Sequence, residues 1–173
     1  MDDLRPFGRE GDIHIYTEEN VAEAIETRIP YVFRENRYPG VPNLKIHRVT
    51  TEPFMAAGIE IIPIRVMHGR LPILGFRIGN MAYLTDLKSL PEEEYAKLEG
   101  LDVLIITALR WEEHPTHESV GEALEQIGRI RPKESYLIHM SHRIGLQSQV
   151  EKELPPHVHL AYDQLEIPKL QPV

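Results

Sequence analysis

Apolar and polar positions alternate along this chain with two periods, one typical of strands and the other of helices. Short apolar runs predict strands at residues 13–16, 44–49, 59–67, 72–79, 81–85, 102–107, 135–139, 158–161 and 164–167. The run at 102–107 is apolar almost throughout, as expected for a strand that is buried on both faces. Gly79-Asn80 separates two of these strands and predicts a tight hairpin turn.

Between the strands, apolar residues recur at helical spacing and predict helices at residues 18–28, 91–98, 118–130 and 145–154. Thr17 is the expected N-cap of the first helix. The face of that helix expected to be buried carries Val21, Ala24, Ile25 and Ile29. The helix at 118–130 has an apolar face formed by Val120, Ala123, Leu124 and Ile127. Strands that alternate with helices in this way indicate an α/β fold with an early antiparallel portion.

Size and composition are those of an ordinary soluble protein. The 173 residues suffice for a single domain, residues 1–173, with a sizeable core. No apolar run approaches the length of a membrane span, so no membrane association is expected. The absence of cysteine excludes disulfides and thiolate metal sites, and it fits a cytoplasmic protein. The net charge of −8 argues against a nucleic-acid surface held by bulk electrostatics, so a nucleic-acid partner is possible but disfavoured.

Three predicted strands end on a side chain that can bind a metal ion, namely His68, Asp86 and His139. A fourth strand ends at Thr107 and is followed by the polar segment 111–118. Imidazole nitrogens and carboxylate oxygens bind zinc, manganese or iron, and one carboxylate can bridge two ions. These residues are scattered, and each has a simpler interpretation by itself. A histidine after a strand is often a surface residue, and an aspartate there can cap a turn.

Longer strings around these residues resemble a known family. They are His68-Gly69, Gly75-Phe76-Arg77-Ile78-Gly79, Ala82-Tyr83-Leu84-Thr85-Asp86, Arg110-Trp111, His114-Pro115-Thr116-His117-Glu118-Ser119, Leu137-Ile138-His139-Met140-Ser141-His142 and Ala161-Tyr162-Asp163. Over essentially its whole length, the chain is similar to the metallo-β-lactamase superfamily, in the branch of ribonuclease Z-like and cyclic phosphodiesterase-like hydrolases. The resemblance implies an αβ/βα sandwich of mixed sheets flanked by helices. Gln164 stands where that family commonly has a glycine.

The resemblance also implies a role for each residue that matches the family pattern. His68 would bind one metal ion, His139 the second, and Asp86 would bridge both. His117 would donate a proton to the leaving oxygen or hold the substrate phosphate. His142 competes with His139 for the last ligand position, and His139 is preferred because it ends the strand. The side chains expected around the substrate are His114, His142 and Trp111, although an ordinary role as loop residues is about as plausible for them.

One feature of the superfamily is absent from this sequence, the His-x-His-x-Asp-His motif that binds both metal ions. In the family, a string like Asp-Asp-Leu-Arg-Pro-Phe at residues 2–7 lies shortly after that motif, so the chain is expected to begin past it. With two protein ligands for each ion, the sites should be weak. We therefore expect substoichiometric metal binding, little or no hydrolysis by this chain alone, and self-association through an uncovered sheet edge, giving a homo-oligomer.

The resemblance implies a metal-dependent hydrolase that uses two divalent ions, zinc or manganese, and a metal-bound hydroxide to cleave a phosphodiester. The acidic net charge favours a small phosphodiester over a tRNA precursor. One alternative is a thioester or lactone hydrolase of the same fold. Another is a metal-free, degenerate module that binds a partner or serves as a scaffold. A pocket with arginine or lysine near the metal ligands would favour phosphate, whereas an apolar pocket would favour the ester.

Overall fold

The protein's structure, a computed structural model, describes residues 11–36 and 40–167. Contacts divide the chain after Glu52 into two compact units, residues 1–52 and residues 53–173. The predicted single domain stays a prediction. The string at residues 2–7 lies outside the described residues. In the part of the chain that is described, no helix has the length and apolar character needed to cross a lipid bilayer.

The first unit pairs two short parallel strands, β1 (Ile13–Thr17) and β2 (Leu44–Arg48). Helix α1 (Glu19–Arg28) follows β1 and leads into a 3₁₀ turn at Pro30–Val32. The Arg48 guanidinium, at the end of β2, donates to the carboxylates of Glu19 and Glu26 on this helix. These ion pairs connect α1 to β2 along one side of the helix.

The predicted cap of α1 is wrong, and its predicted apolar face is only partly buried, since Ile25 and Ile29 are half-buried and Ala24 is exposed. Glu18, not Thr17, occupies the N-cap position, and no side chain caps the helix there. Ala22 is the fully buried helix residue, whereas Val21 is 45% exposed. Glu19, Ala22 and Glu26 share one helix face at i, i+3 and i+7 spacing. Arg48 holds that face toward β2, and the small side chain of Ala22 allows the close approach.

The second unit is built on a seven-stranded sheet in which spatial order follows chain order from β3 to β9. The strands are β3 (Phe54–Ala56), β4 (Ile59–His68), β5 (Leu71–Ile78), β6 (Met81–Leu84), β7 (Val103–Thr107), β8 (Glu134–Ile138) and β9 (Val158–Leu160). Neighbours from β3 to β6 run antiparallel, and those from β6 to β9 run parallel. The mixed α/β fold and its early antiparallel portion are thus confirmed.

Helix α2 (Val120–Ile130) packs its predicted face into the core of this unit. Its residues Val120, Ala123 and Ile127 are buried together with sheet residues such as Leu104 and Leu137. A capping box fixes where the helix begins: the Ser119 hydroxyl accepts from the Glu122 backbone N–H, and the Glu122 carboxylate accepts from the Ser119 backbone N–H. The amphipathic prediction is therefore confirmed.

The other predicted helices and the last predicted strand differ from the structure. Residues Glu92–Leu98 form a 3₁₀ helix. The region predicted as helix 145–154 contains the short helix α3 (Gln147–Val150), and a 3₁₀ turn, His142–Ile144, precedes it. Gly145, with φ of 110°, separates that turn from α3. Residues 164–167 do not form a strand, because the Leu165 N–H donates to the Tyr162 carbonyl in a turn.

Candidate metal centre

The strand directions in the second unit bring the candidate ligands to one edge of the sheet. Strands β4 and β6 are each antiparallel to β5, so they run the same way, and β7 and β8 are parallel to β6. The carboxyl ends of these four strands therefore lie together. His68 is the last residue of β4, Asp86 follows β6, and His139 comes directly after β8.

A left-handed backbone residue follows each of these strands. Asp86 has φ of 56°, His139 has φ of 64°, and Gly69 has φ of 61°. For a residue other than glycine, this conformation costs about 1–2 kcal/mol, and aspartate and histidine tolerate it better than most. It turns the chain sharply at the sheet edge. Two predicted ligands thus occupy strained positions, as residues of functional sites often do.

Close packing holds the segment that carries His117 against this edge. The Glu118 N–H donates to the Leu87 carbonyl (2.8 Å), and the Leu109 N–H donates to the Glu118 carbonyl (2.9 Å). A Cβ atom on Gly69 would lie 3.0 Å from Thr116 Cγ2. The turn after β4 and the segment that carries His117 can approach this closely because residue 69 has no side chain.

Four predicted site residues meet at this edge. His68, Asp86 and His117 each offer a ligand atom, and these atoms all lie within 4.8 Å of one another. The ring centroids of His117 and His139 are 4.8 Å apart. His139 Nε2 lies 3.5 Å from Asp86 Oδ1. Asp86 therefore adjoins both the His68 side and the His139 side of the cluster.

Hydrogen bonds determine which atoms of these residues remain available as ligands. His68 Nδ1 lies 3.1 Å from the Asp86 carbonyl oxygen, which can only accept, so Nδ1 carries the proton. Nε2 is then the ring nitrogen left to bind a cation. The Thr85 hydroxyl donates to Asp86 Oδ2 (3.0 Å), and the other carboxylate oxygen faces His139.

His117 lies in the middle of the histidine cluster and is largely neutral. Its pKa is lowered, first because the ring is desolvated by burial, and then because protonated His139 and His68 would repel its charge. Asp86 acts in the opposite direction. In the described part of the chain, His117 Nδ1 is buried without a hydrogen-bond partner. Imidazole nitrogens, one of them unpartnered, and a carboxylate form a donor set that suits zinc or manganese.

The remaining predicted residues surround this cluster in different ways. The His114 ring lies 5.2 Å from that of His117, and its Nδ1 accepts from the Thr116 backbone N–H. Trp111 donates its indole N–H to the Ile144 carbonyl (3.0 Å). His142 begins the 3₁₀ turn after His139 and is exposed. The structure thus brings His114 into contact with the cluster and places His142 and Trp111 on its adjoining loops.

Glu118 is a notable residue that the sequence did not single out. Its side chain is 1% exposed, and burial raises its pKa to about 8. Gln126 Nε2 donates to one of its carboxyl oxygens (3.1 Å), and the other has no partner among the described residues. In the sequence, Glu118 resembles an ordinary acidic residue at a helix start. Only the fold shows a neutral carboxyl group buried next to His117.

Comparison with known families decides where this chain belongs. Residues 1–140 match the family described as the beta-lactamase superfamily domain. The chain belongs to the metallo-β-lactamase superfamily. The predicted resemblance and fold are therefore confirmed, whereas the prediction about the His-x-His-x-Asp-His motif and the residue roles stay predictions.

Individual relatives of this metallo-β-lactamase chain carry different names. A diphosphatase of the PhnP family superposes with a TM-score of 0.86 at 31% identity, over 95% of this chain and 63% of that one. The short form of human tRNase Z has a TM-score of 0.64 at 20% identity, over 89% of this chain and 66% of that one, which shows a shared fold. A Porphyromonas gingivalis protein named octanoyltransferase is 45% identical over 96% of this chain. The chain spans 34% of that relative's length.

Proposed function

We propose that this chain carries part of the active site of a metal-dependent hydrolase that cleaves phosphoric esters, with small phosphodiesters favoured. One observation supports the proposal most strongly: His68, Asp86, His117 and His139 gather at one sheet edge, although long stretches of sequence separate them. Members of the superfamily are typically hydrolases. Such a set of imidazoles around a carboxylate has no role in packing the core.

The ligand roles follow from the same contacts. His68, through Nε2, and Asp86 would hold one divalent ion, and Asp86 and His139 would hold a second. Zinc or manganese ions would supply Lewis acidity and would activate a water molecule at neutral pH. The Thr85 hydroxyl keeps the Asp86 carboxylate oriented toward the histidines. With so few protein ligands among the described residues, we expect both ions to bind weakly.

We assign His117 the transfer of a proton to the leaving oxygen. Its ring lies between those of His68 and His139, with centroid distances of 4.6 Å and 4.8 Å. A lowered pKa makes the protonated imidazole a stronger acid than an ordinary histidine, so it releases its proton more readily. An anionic substrate group would favour the protonated ring when it binds.

Phosphoric esters are favoured over carboxylic esters by two observations. Arg70 is exposed, lies two residues after His68, and has no ion pair within the described ranges. It is thus available to bind a phosphate oxygen. The similar diphosphatase also acts on phosphate bonds, according to its name. The name octanoyltransferase points to acyl chemistry, but it belongs to a protein of which this chain matches 34%, and the match does not say which part performs the transfer.

Turnover of two chromogenic substrates tests this proposal. The chain is assayed with bis(p-nitrophenyl) phosphate and p-nitrophenyl acetate, with and without added Mn²⁺ or Zn²⁺. We expect weak, metal-dependent release from the phosphodiester that Asp86→Asn abolishes. His157→Gln, which alters an exposed histidine outside the cluster, should leave turnover unchanged. His117→Gln should lower turnover less than Asp86→Asn does, because p-nitrophenolate leaves with little need of a proton, and the metal content measured after dialysis should stay the same.

Other outcomes would favour the alternative functions. A metal-dependent preference for the acetate would support the thioester or lactone hydrolase. Metal binding without hydrolysis of either substrate, even at saturating metal, would support a binding or scaffold module. Loss of metal from His117→Gln would make this residue a third ligand, as its grouping with His68 and Asp86 allows.

A further inference from the structure

We propose that Trp111 provides a stacking surface for an aromatic ring of the substrate, such as a nucleobase, at the rim of the candidate metal centre. The inference deepens the proposed function and rests on it for the phosphate ester that the cluster would bind. Trp111 is the only tryptophan of the chain, and it is 39% exposed.

Backbone hydrogen bonds hold the residues just before Trp111 between two loops of the site. The Leu109 N–H donates to the Glu118 carbonyl, next to His117 (2.9 Å). On the other side, the Ser141 N–H donates to the Leu109 carbonyl (2.9 Å), two residues after His139. The segment that leads into Trp111 is therefore held between the loop of His117 and the loop of His139.

The indole ring is fixed in orientation before any ligand binds. Its N–H donates to the carbonyl of Ile144, whose side chain is buried. This bond satisfies the single polar group of the side chain, so the exposed part of the ring is an apolar π-surface. A ring held in this way loses little conformational freedom when it binds a ligand, which favours affinity.

The charged side chains next to Trp111 are bound to one another. Arg110 and Arg143 are both near Trp111 in the fold, and both pair with the carboxylate of Glu112. Arg110 also donates to the carbonyl of Glu113. Glu112 thus binds both guanidinium groups. The surface next to them that remains for a ligand is the indole ring. Any of the nucleobases can stack on such a ring, because every base has a π-face.

The emission of this single tryptophan gives a direct test with two probes, AMP and ribose 5-phosphate, which differ by the base. Each is titrated into the full chain with and without added Zn²⁺. We expect AMP to quench the emission saturably and to bind about tenfold more tightly than ribose 5-phosphate, a typical gain from stacking one base. Ribose 5-phosphate should leave the emission nearly unchanged.

Variants separate stacking from a purely structural role. By calorimetry, Trp111→Phe should keep most of the preference for AMP, whereas Trp111→Leu should lose it. Tyr83→Leu removes another exposed aromatic side chain, within strand β6, and should keep the preference. Circular dichroism reports whether each variant is folded, and the measurement on the unaltered chain does not depend on any of them.

The outcomes distinguish this inference from the proposed function. AMP quenching without phosphodiester hydrolysis would support ring binding at Trp111 and count against the hydrolase. Equal affinity for AMP and ribose 5-phosphate, or no quenching by AMP at millimolar concentration, would overturn the role of Trp111, whether or not hydrolysis is observed.

Discussion

At the scale of single residues, the candidate centre depends on side chains that prepare the ligands without binding a cation themselves. Thr85 is an example, because its hydroxyl donates to Asp86 Oδ2 (3.0 Å) while the other carboxylate oxygen faces His139. The Asp86 carbonyl has a similar function, since it fixes the proton of His68 on Nδ1. Groups that orient ligands in this way commonly change metal affinity by about 10–100-fold.

We therefore predict that Thr85→Val lowers the affinity for zinc about tenfold, because the Asp86 carboxylate loses the bond that orients it. Valine has nearly the same shape as threonine, so folding should be retained. A competition titration with a chromogenic chelator measures the affinity. Thr27→Val, at an exposed position of α1, is the control and should bind zinc like the unaltered chain. Unchanged affinity in Thr85→Val would show that the hydroxyl has no orienting role.

At the scale of elements, the site depends on how strands end and on how closely the next segments can approach. The turn after β4 is the clearest case, because Gly69 combines a left-handed backbone (φ 61°) with close contact to Thr116. Gly58, in the turn between β3 and β4, is also left-handed (φ 81°), but a Cβ atom added there would have no neighbour within 4 Å. A comparison of alanine substitutions at the two glycines therefore distinguishes the cost of backbone strain from the cost of the contact with Thr116.

We predict that Gly69→Ala destabilises the protein more than Gly58→Ala does. Both variants incur the strain of a left-handed alanine, about 1–2 kcal/mol, whereas Gly69→Ala must also displace Thr116, at a further cost of about 1–3 kcal/mol. Urea unfolding measures the difference. Gly69→Ala should also weaken zinc binding, because Thr116 adjoins His117. Equal losses of stability in the two variants would mean that the contact with Thr116 relaxes freely.

The elements also show how much could be predicted from sequence. The periodicity of apolar residues correctly predicted the central strands and α2, because each of these elements buries a regular face. It was partly wrong for α1, where Ala22 rather than Val21 is buried, and wrong for residues 164–167, where a local turn replaces the strand. The resemblance brought His68, Asp86, His117 and His139 together. Glu118 and Thr85 were missed because their roles depend on burial and on contacts that no local pattern encodes.

At the scale of the whole molecule, the chain is shorter than the proteins it resembles. It spans 63% of the similar diphosphatase and 34% of the octanoyltransferase relative. Its own residues form two compact units, and all the candidate ligands belong to the second. What the chain does by itself can therefore differ from what its relatives do, and both its metal affinity and its assembly are measurable on this polypeptide.

We predict that the chain self-associates through the end of the sheet formed by β3 and β4. Met55 is 60% exposed on β3, the terminal strand of the sheet, and Ile59 is also exposed across the same hairpin. Burying a methionine side chain in a contact between copies would contribute about 2 kcal/mol. Met55→Lys should therefore weaken association at least tenfold, because tenfold corresponds to about 1.4 kcal/mol.

Light scattering over a range of protein concentrations measures this association as a rise in mean mass. Leu146→Lys is the matched control, because it adds the same charge at a side chain that is 67% exposed but lies outside the sheet. It should associate like the unaltered chain, whereas Met55→Lys should remain at the monomer mass. If the unaltered chain is a monomer at every concentration, the exposed hairpin is not an interface. If both lysine variants dissociate equally, added charge rather than loss of the β3 contact is responsible.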